Sequence, residues 1–258
     1  MEEERGEMDR RTFLCGSVGA WAAALGLAAC GSRDADGGSA VPGGEDVIVS
    51  DAEARWEAPA RITCAGDSIT WGDGVADTRD TDSYPAQLQA LLAAEGYGTV
   101  CDNFGYNGAC CLSRGKNPYI IVQPYRDSLS QCGDMVILML GTNDAVSVVW
   151  DRDAYLRELG DFVDDYQALD AAPQVVLMVP PDLSRTTFGA AYSDAKFDEM
   201  QQAVRDLAAD RGLVCVDLEP VFAGHEGEWL ADGVHPNREG NARIAQTVYA
   251  ALSGADTV

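Results

Sequence analysis

The 258-residue chain carries two histidines, His225 and His235, so any mechanism that needs an imidazole base must use one of them. His235 lies three residues after Asp232 in Asp232-Gly233-Val234-His235-Pro236-Asn237, and one turn of chain can set that carboxylate against the ring. A carboxylate so placed fixes the tautomer and stabilises the imidazolium. Serine is a weak nucleophile until such a base sits beside it. Ser68, in Gly66-Asp67-Ser68-Ile69-Thr70, is the candidate nucleophile. The chemistry this pattern predicts is acyl transfer from an ester. Asp67 adjoins Ser68 and is poorly placed to orient a ring on another loop, so it is assigned to the geometry of the turn. Thr70 stands where a Gly-x-Ser-x-Gly elbow would need its last glycine, which argues against that elbow. His225, in Gly224-His225-Glu226-Gly227, is read as an exposed loop residue without an aligned carboxylate.

These residues need elements to carry them. Segments 61–65, 99–104, 135–140, 174–179 and 213–217 read as short strands, and the continuous apolar run 135–140 and the segment 174–179 are as expected of strands buried on both faces. Between them, 84–95, 151–169 and 191–211 have apolar residues at helical spacing, and 241–252 closes the chain as a helix. Alternating elements of this kind predict one α/β domain, a three-layer α/β/α arrangement around a five-stranded parallel sheet. In such sheets the site lies beyond the carboxyl ends of the strands.

Four segments fall at predicted strand ends or in the final loop: Gly66-Asp67-Ser68-Ile69-Thr70, Asn103-Phe104-Gly105-Tyr106-Asn107-Gly108, Gly141-Thr142-Asn143-Asp144, and the loop from Asp232 to Asn237. In content and order they resemble the SGNH (GDSL-type) serine hydrolase family, over roughly residues 60–252. The resemblance implies a flavodoxin-like sheet and a triad of Ser68, Asp232 and His235. It also implies an oxyanion hole made by the Ser68 N–H, the Gly108 N–H and the Asn143 side chain. Gly105 is a second candidate for the glycine; the family spacing from Asn103 favours Gly108. Asp67, Thr142 and Asp144 are expected to support these loops.

The stretch from Asn107 to Tyr119 and the segment Ser83-Tyr84-Pro85-Ala86-Gln87-Leu88 are similar to a carbohydrate O-acetylesterase-like subgroup. This implies a small acyl group on a sugar as substrate, with Arg114, Lys116 and Tyr119 on a possible substrate loop. A lysophospholipase or thioesterase is the competing enzymatic reading. A surface glycan-binding lipoprotein on a degenerate hydrolase fold is the competing non-enzymatic one.

Composition narrows the partners. Eighteen Lys plus Arg stand against 42 Asp plus Glu, a net charge of −24, which repels phosphate backbones, so nucleic acid is excluded as a partner. The N-terminus reads as a targeting segment. Arg10-Arg11-Thr12-Phe13-Leu14 opens an uncharged apolar run to Ala29 that ends in Leu27-Ala28-Ala29-Cys30. It resembles a twin-arginine export signal over 1–29 followed by a lipobox, with Cys30 as the lipidated residue. The acidic leader Glu2, Glu3, Glu4 and Glu7 fits such a signal poorly, and Met8 is an alternative start. Residues 30–57 read as a flexible acidic, Gly-rich tether and 58–258 as the hydrolase domain. The expectation is an exported protein, lipid-anchored on the outer face of a bacterial membrane. Of eight cysteines, six fall in the domain, with no spacing for a metal, so neither metal nor cofactor is expected. Cys110 or Cys111 with Cys132 is the favoured disulfide in an exported chain, and buried free thiols are the alternative.

Overall fold

The computed structural model describes residues 56–184 and 193–254. The expected export signal, Cys30 and all of the tether before residue 56 lie outside the described residues.

Five strands form one parallel sheet: β1 (Arg61–Gly66), β2 (Val100–Gly105), β3 (Met135–Met139), β4 (Gln174–Val179) and β5 (Val214–Asp217). Their order is β2-β1-β3-β4-β5, a doubly wound arrangement of the flavodoxin type. The main helices are α1 (Tyr84–Ala94), α2 (Gln123–Ser130), α3 (Arg152–Gln167), α4 (Asp194–Arg211) and α5 (Arg238–Ser253).

Side-chain alternation explains the three layers. Along β3, Val136 and Leu138 point to one face, where Tyr125 of α2, Phe162 and Tyr166 of α3, and Phe197 and Val204 of α4 pack on them. Met135, Ile137 and Met139 point to the other, against Tyr84, Leu88 and Leu92 of α1 and Ile244 and Val248 of α5. Each such side chain contributes about 1.5–3 kcal/mol on burial. Two apolar faces on a single strand cannot be served by one helical layer, so both sides of the sheet are covered.

Three of these strands stop level with one another. Gly66 is in register with Gly105 on one side and Met139 on the other. Loops carrying Ser68, Gly108 and Asn143 therefore leave the sheet together at its carboxyl edge. Space there is tight: a Cβ at Gly66 would lie 2.3 Å from Thr70 Oγ1 and 2.4 Å from the Met139 carbonyl oxygen.

The helix α2 is not evident in the sequence, because only Tyr125 and Ser128 of its eight residues are buried. The favoured disulfide is corrected. All six domain cysteines are free thiols, and the sulfurs in question face different partners. The Cys111 thiol donates to the Tyr155 carbonyl in the core, whereas Cys132 accepts from the Thr63 hydroxyl.

Candidate active site

Asp67 begins the site by ending β1. Its carboxylate accepts the Ile69 N–H at 2.9 Å and so caps a single helical turn, Ser68–Trp71. Gly72, at φ 97°, closes that turn, its N–H donating to the Ser68 carbonyl at 2.9 Å. Ser68 thus sits at the first position of a short turn, 5 % exposed, with its own N–H free of partners among the described residues.

The candidate base comes from the last loop. Asp232 Oδ1 accepts the N–H groups of Val234 and His235, both at 2.9 Å. The other oxygen, Oδ2, lies 2.7 Å from His235 Nδ1. On the far side of the ring, Nε2 is 2.9 Å from Ser68 Oγ. Burial pushes the Asp232 carboxyl up, but these N–H donors and the ring outweigh it and hold it below the usual carboxylate value. Buried Asn241 anchors the loop, donating to the Pro236 carbonyl at 2.7 Å while accepting the Tyr84 N–H at 2.8 Å.

The loops after β2 and β3 meet beside Ser68. Asn103 donates to the Thr70 carbonyl at 2.8 Å and accepts the Gly105 N–H at 3.0 Å. The Gly105 N–H is therefore used, and its Cα is pressed so close that a Cβ would sit 2.1 Å from the Trp71 nitrogen. Gly108, at φ 76°, has an N–H without a partner among the described residues. Of the two glycines, Gly108 alone has a donor to spare. Asn143 Nδ2 donates to the Ala109 carbonyl at 2.9 Å, which engages one amide hydrogen and leaves the second.

Two fully buried carboxyls stiffen this floor. Asp144 accepts the N–H groups of Cys111 and Leu112 at 2.9 and 2.8 Å, tying the loop after β2 to the turn after β3. Desolvation still pushes it up to about 6. Asp67 is likewise raised to about 6 by burial, against the pull of the Ile69 N–H, Thr142 and His235. Thr142 stands near enough to lower it, yet neither the Thr142 hydroxyl nor Asp67 Oδ2 completes a hydrogen bond of good geometry.

The expected substrate loop divides. Arg114 is exposed and paired with Asp151 at 3.2 Å, and Lys116 is exposed. Tyr119 is corrected: it is fully buried, its hydroxyl donates to the Phe104 carbonyl at 2.7 Å, and its ring packs on Tyr125 and Phe162. It holds the loop and cannot touch a substrate. His225 also differs from expectation, since Glu228 lies 3.1 Å from its Nδ1. Its ring stacks flat on Trp229, with centroids 4.1 Å apart.

Sequence reasoning overlooked Asp73. Its Oδ2 lies 3.6 Å from His235 Nε2, the nitrogen that faces Ser68. A lone Asp has no signature, and its flanking glycines, Gly72 and Gly74, were the only signal. Among the described residues no group of three or more His, Cys, Asp or Glu is placed to hold a metal ion.

Comparison with known proteins gives the family. The GDSL-like Lipase/Acylhydrolase family model matches residues 64–243. An acetylxylan esterase from Xylanibacter ruminicola is 28 % identical over 212 residues, covering 74 % of this chain and 43 % of that protein. A multidomain esterase from Ruminococcus flavefaciens is 24 % identical over 219 residues, covering 72 % of this chain and 27 % of its own length. The chain thus spans less than half the length of either curated relative. Among solved structures, a lipase/acylhydrolase from Enterococcus faecalis superposes with TM-score 0.62 at 19 % identity, covering 75 % of this chain and 95 % of its own. An acetylxylan esterase from Geobacillus stearothermophilus gives 0.57 at 20 % identity, covering 75 % and 94 %. With the family model spanning most of the domain, the chain belongs to the GDSL-like Lipase/Acylhydrolase family.

Proposed function

We propose that this protein is a serine ester hydrolase that removes a small acyl group, acetyl, from a carbohydrate. In this reading Ser68 is the nucleophile, His235 the base and Asp232 the group that orients it. The observation that carries it is the unbroken run Asp232 Oδ2, His235 Nδ1, His235 Nε2 and Ser68 Oγ, at 2.7 and 2.9 Å. Nε2 takes the Ser68 proton as Oγ attacks the ester carbonyl. The carbonyl π pair moves onto oxygen, and that oxyanion is received by the Ser68 N–H, the Gly108 N–H and the free hydrogen of Asn143. Collapse breaks the ester C–O bond, and the imidazolium gives its proton to the departing alcohol. Water then repeats the sequence on the acyl-serine, releasing the acid and restoring Ser68.

The acetyl and carbohydrate parts rest on the chain's similarity to the acetylxylan esterase and on the loop from Asn107 to Tyr119. The test is a series of p-nitrophenyl esters with the purified domain. Rates should fall steeply from acetate to octanoate, and Ser68→Ala should remove the activity while leaving the fold intact. A rise toward octanoate favours the lysophospholipase or thioesterase reading. Glycan binding without hydrolysis of any ester favours the binding-protein reading. Export and lipidation at Cys30 remain part of the proposal: Cys30→Ala should move the full chain from the membrane to the soluble fraction.

A further inference from the structure

His235 Nε2 faces two groups. One is Ser68 Oγ at 2.9 Å, and the other is Asp73 Oδ2 at 3.6 Å. The second distance is too long for a direct hydrogen bond, so Asp73 is a neighbour of the proton-transfer position without occupying it. Its placement is built rather than incidental. Gly72 enters at φ 97°, and a Cβ at Gly74 would lie 2.3 Å from the Pro236 carbonyl oxygen and 2.8 Å from that of His235, so the segment is pressed onto the histidine loop. Asn107, beside Gly108, donates to Asp73 Oδ1 at 3.3 Å. One carboxylate oxygen is thereby tethered and the other faces the site. The Asp73 side chain is 37 % exposed, so solvent and a solute can reach it.

The leaving alcohol fixes what such an oxygen meets. The departing oxygen must come within hydrogen-bond reach of Nε2 to receive its proton. An acceptor 3.6 Å from Nε2 then lies beside that oxygen, where the substituent on the adjacent carbon must pass. A carboxylate accepts from a hydroxyl there, gains nothing from a methylene, and repels an anion. We propose that Asp73 determines specificity on the alcohol side: its free oxygen accepts a hydrogen bond from a hydroxyl next to the scissile ester, so the site takes esters of neutral vicinal polyols. This rests on the esterase reading given above and adds to it a residue and a substrate requirement.

Two neutral acetates of matched length, glycerol monoacetate and propyl acetate, separate the possibilities, with released acetate measured at saturating and limiting concentrations. The unsubstituted enzyme should favour glycerol monoacetate. In Asp73→Ala the ratio of the two kcat/KM values should fall roughly tenfold to 100-fold, the range for a hydrogen bond to a charged group. Asn107→Ala, which unties Asp73 without removing it, should lower the same ratio by a smaller factor, and this variant carries the test if Asp73→Ala does not fold. Equal losses on both acetates would overturn the proposal, since Asp73 would then act through the imidazole. An unchanged ratio would overturn it too. An unsubstituted enzyme inert toward both acetates would instead remove the esterase reading and this one with it.

Discussion

Replacing Asp232 by Asn probes the hydrogen-bond run at the point where its geometry is most decisive. Asp232 Oδ1 accepts two backbone N–H groups and Oδ2 faces His235 Nδ1. An amide has one oxygen. If that oxygen stays on the two N–H groups, the NH2 points at Nδ1 and donates to it, which puts the ring proton on Nε2. That nitrogen can then no longer accept the Ser68 proton. Flipping the amide restores the tautomer but breaks two hydrogen bonds, at about 0.5–1.5 kcal/mol each, so the productive orientation is disfavoured about fivefold to 150-fold. The flipped amide is also neutral, and losing the charge-assisted bond to the imidazolium removes roughly another tenfold to 100-fold. Turnover should therefore drop by about 10² to 10⁴. The Asp232 side chain is 55 % exposed, so the thermal midpoint should hardly move. The assay is release of p-nitrophenol from the acetate ester, alongside thermal melting of both proteins. Asp232→Ala, which imposes no tautomer, should be less damaged than Asp232→Asn. A variant within tenfold of the unsubstituted rate, melting normally, would refute the assignment of Asp232 and the tautomer argument together.

Asn143→Ala removes the proposed third oxyanion donor and should lower kcat about 10² to 10³-fold with little change in KM; a change confined to stability would make Asn143 only the tie to Ala109. The two buried carboxyls predict a pH effect on stability. Asp67 and Asp144 ionise at about 6 in the fold against an ordinary value of 3.8. Between those limits the folded state holds more protons than the unfolded chain, so their stabilisation is complete below the lower value and is lost as pH rises through the upper one. The loss is on the order of 3 kcal/mol for each carboxyl, and urea midpoints measured from pH 4 to 7 should show the fall. The slope should flatten in Asp144→Asn, and an unaltered slope would count against the buried charge.

The parts of this molecule that sequence makes plain are those where one physical demand dominates. Strand β3 is readable because Met135 to Met139 are apolar without interruption, which a strand covered on both faces requires. Ser68 and His235 are readable as candidates because a nucleophile and a base need particular residue types, and the second type is scarce here. Helix α2 is hidden because it contributes Tyr125 and Ser128 to the interior and little else, so its pattern is mostly polar. Tyr119 reads as part of a possible substrate loop from its neighbours in sequence, whereas its ring packs on Tyr125 and Phe162, contacts that only the tertiary fold creates. Asp73 was missed for the same reason. Its position depends on Gly74 packing onto the histidine loop, a contact far from local in the chain.

The Ser68–His235 contact joins residues 167 positions apart. A ribosome emits the serine first and the imidazole 167 residues later, with β2 to β5 made in between. Until then the hydroxyl has no base and behaves as any other alcohol in water. On the proposed mechanism, a half-made or clipped chain is therefore inert toward the acyl esters around it. Hydrolysis of a fluorogenic acetate would then report completed folding of the domain from its first strand to its last loop, a stricter criterion than secondary structure alone.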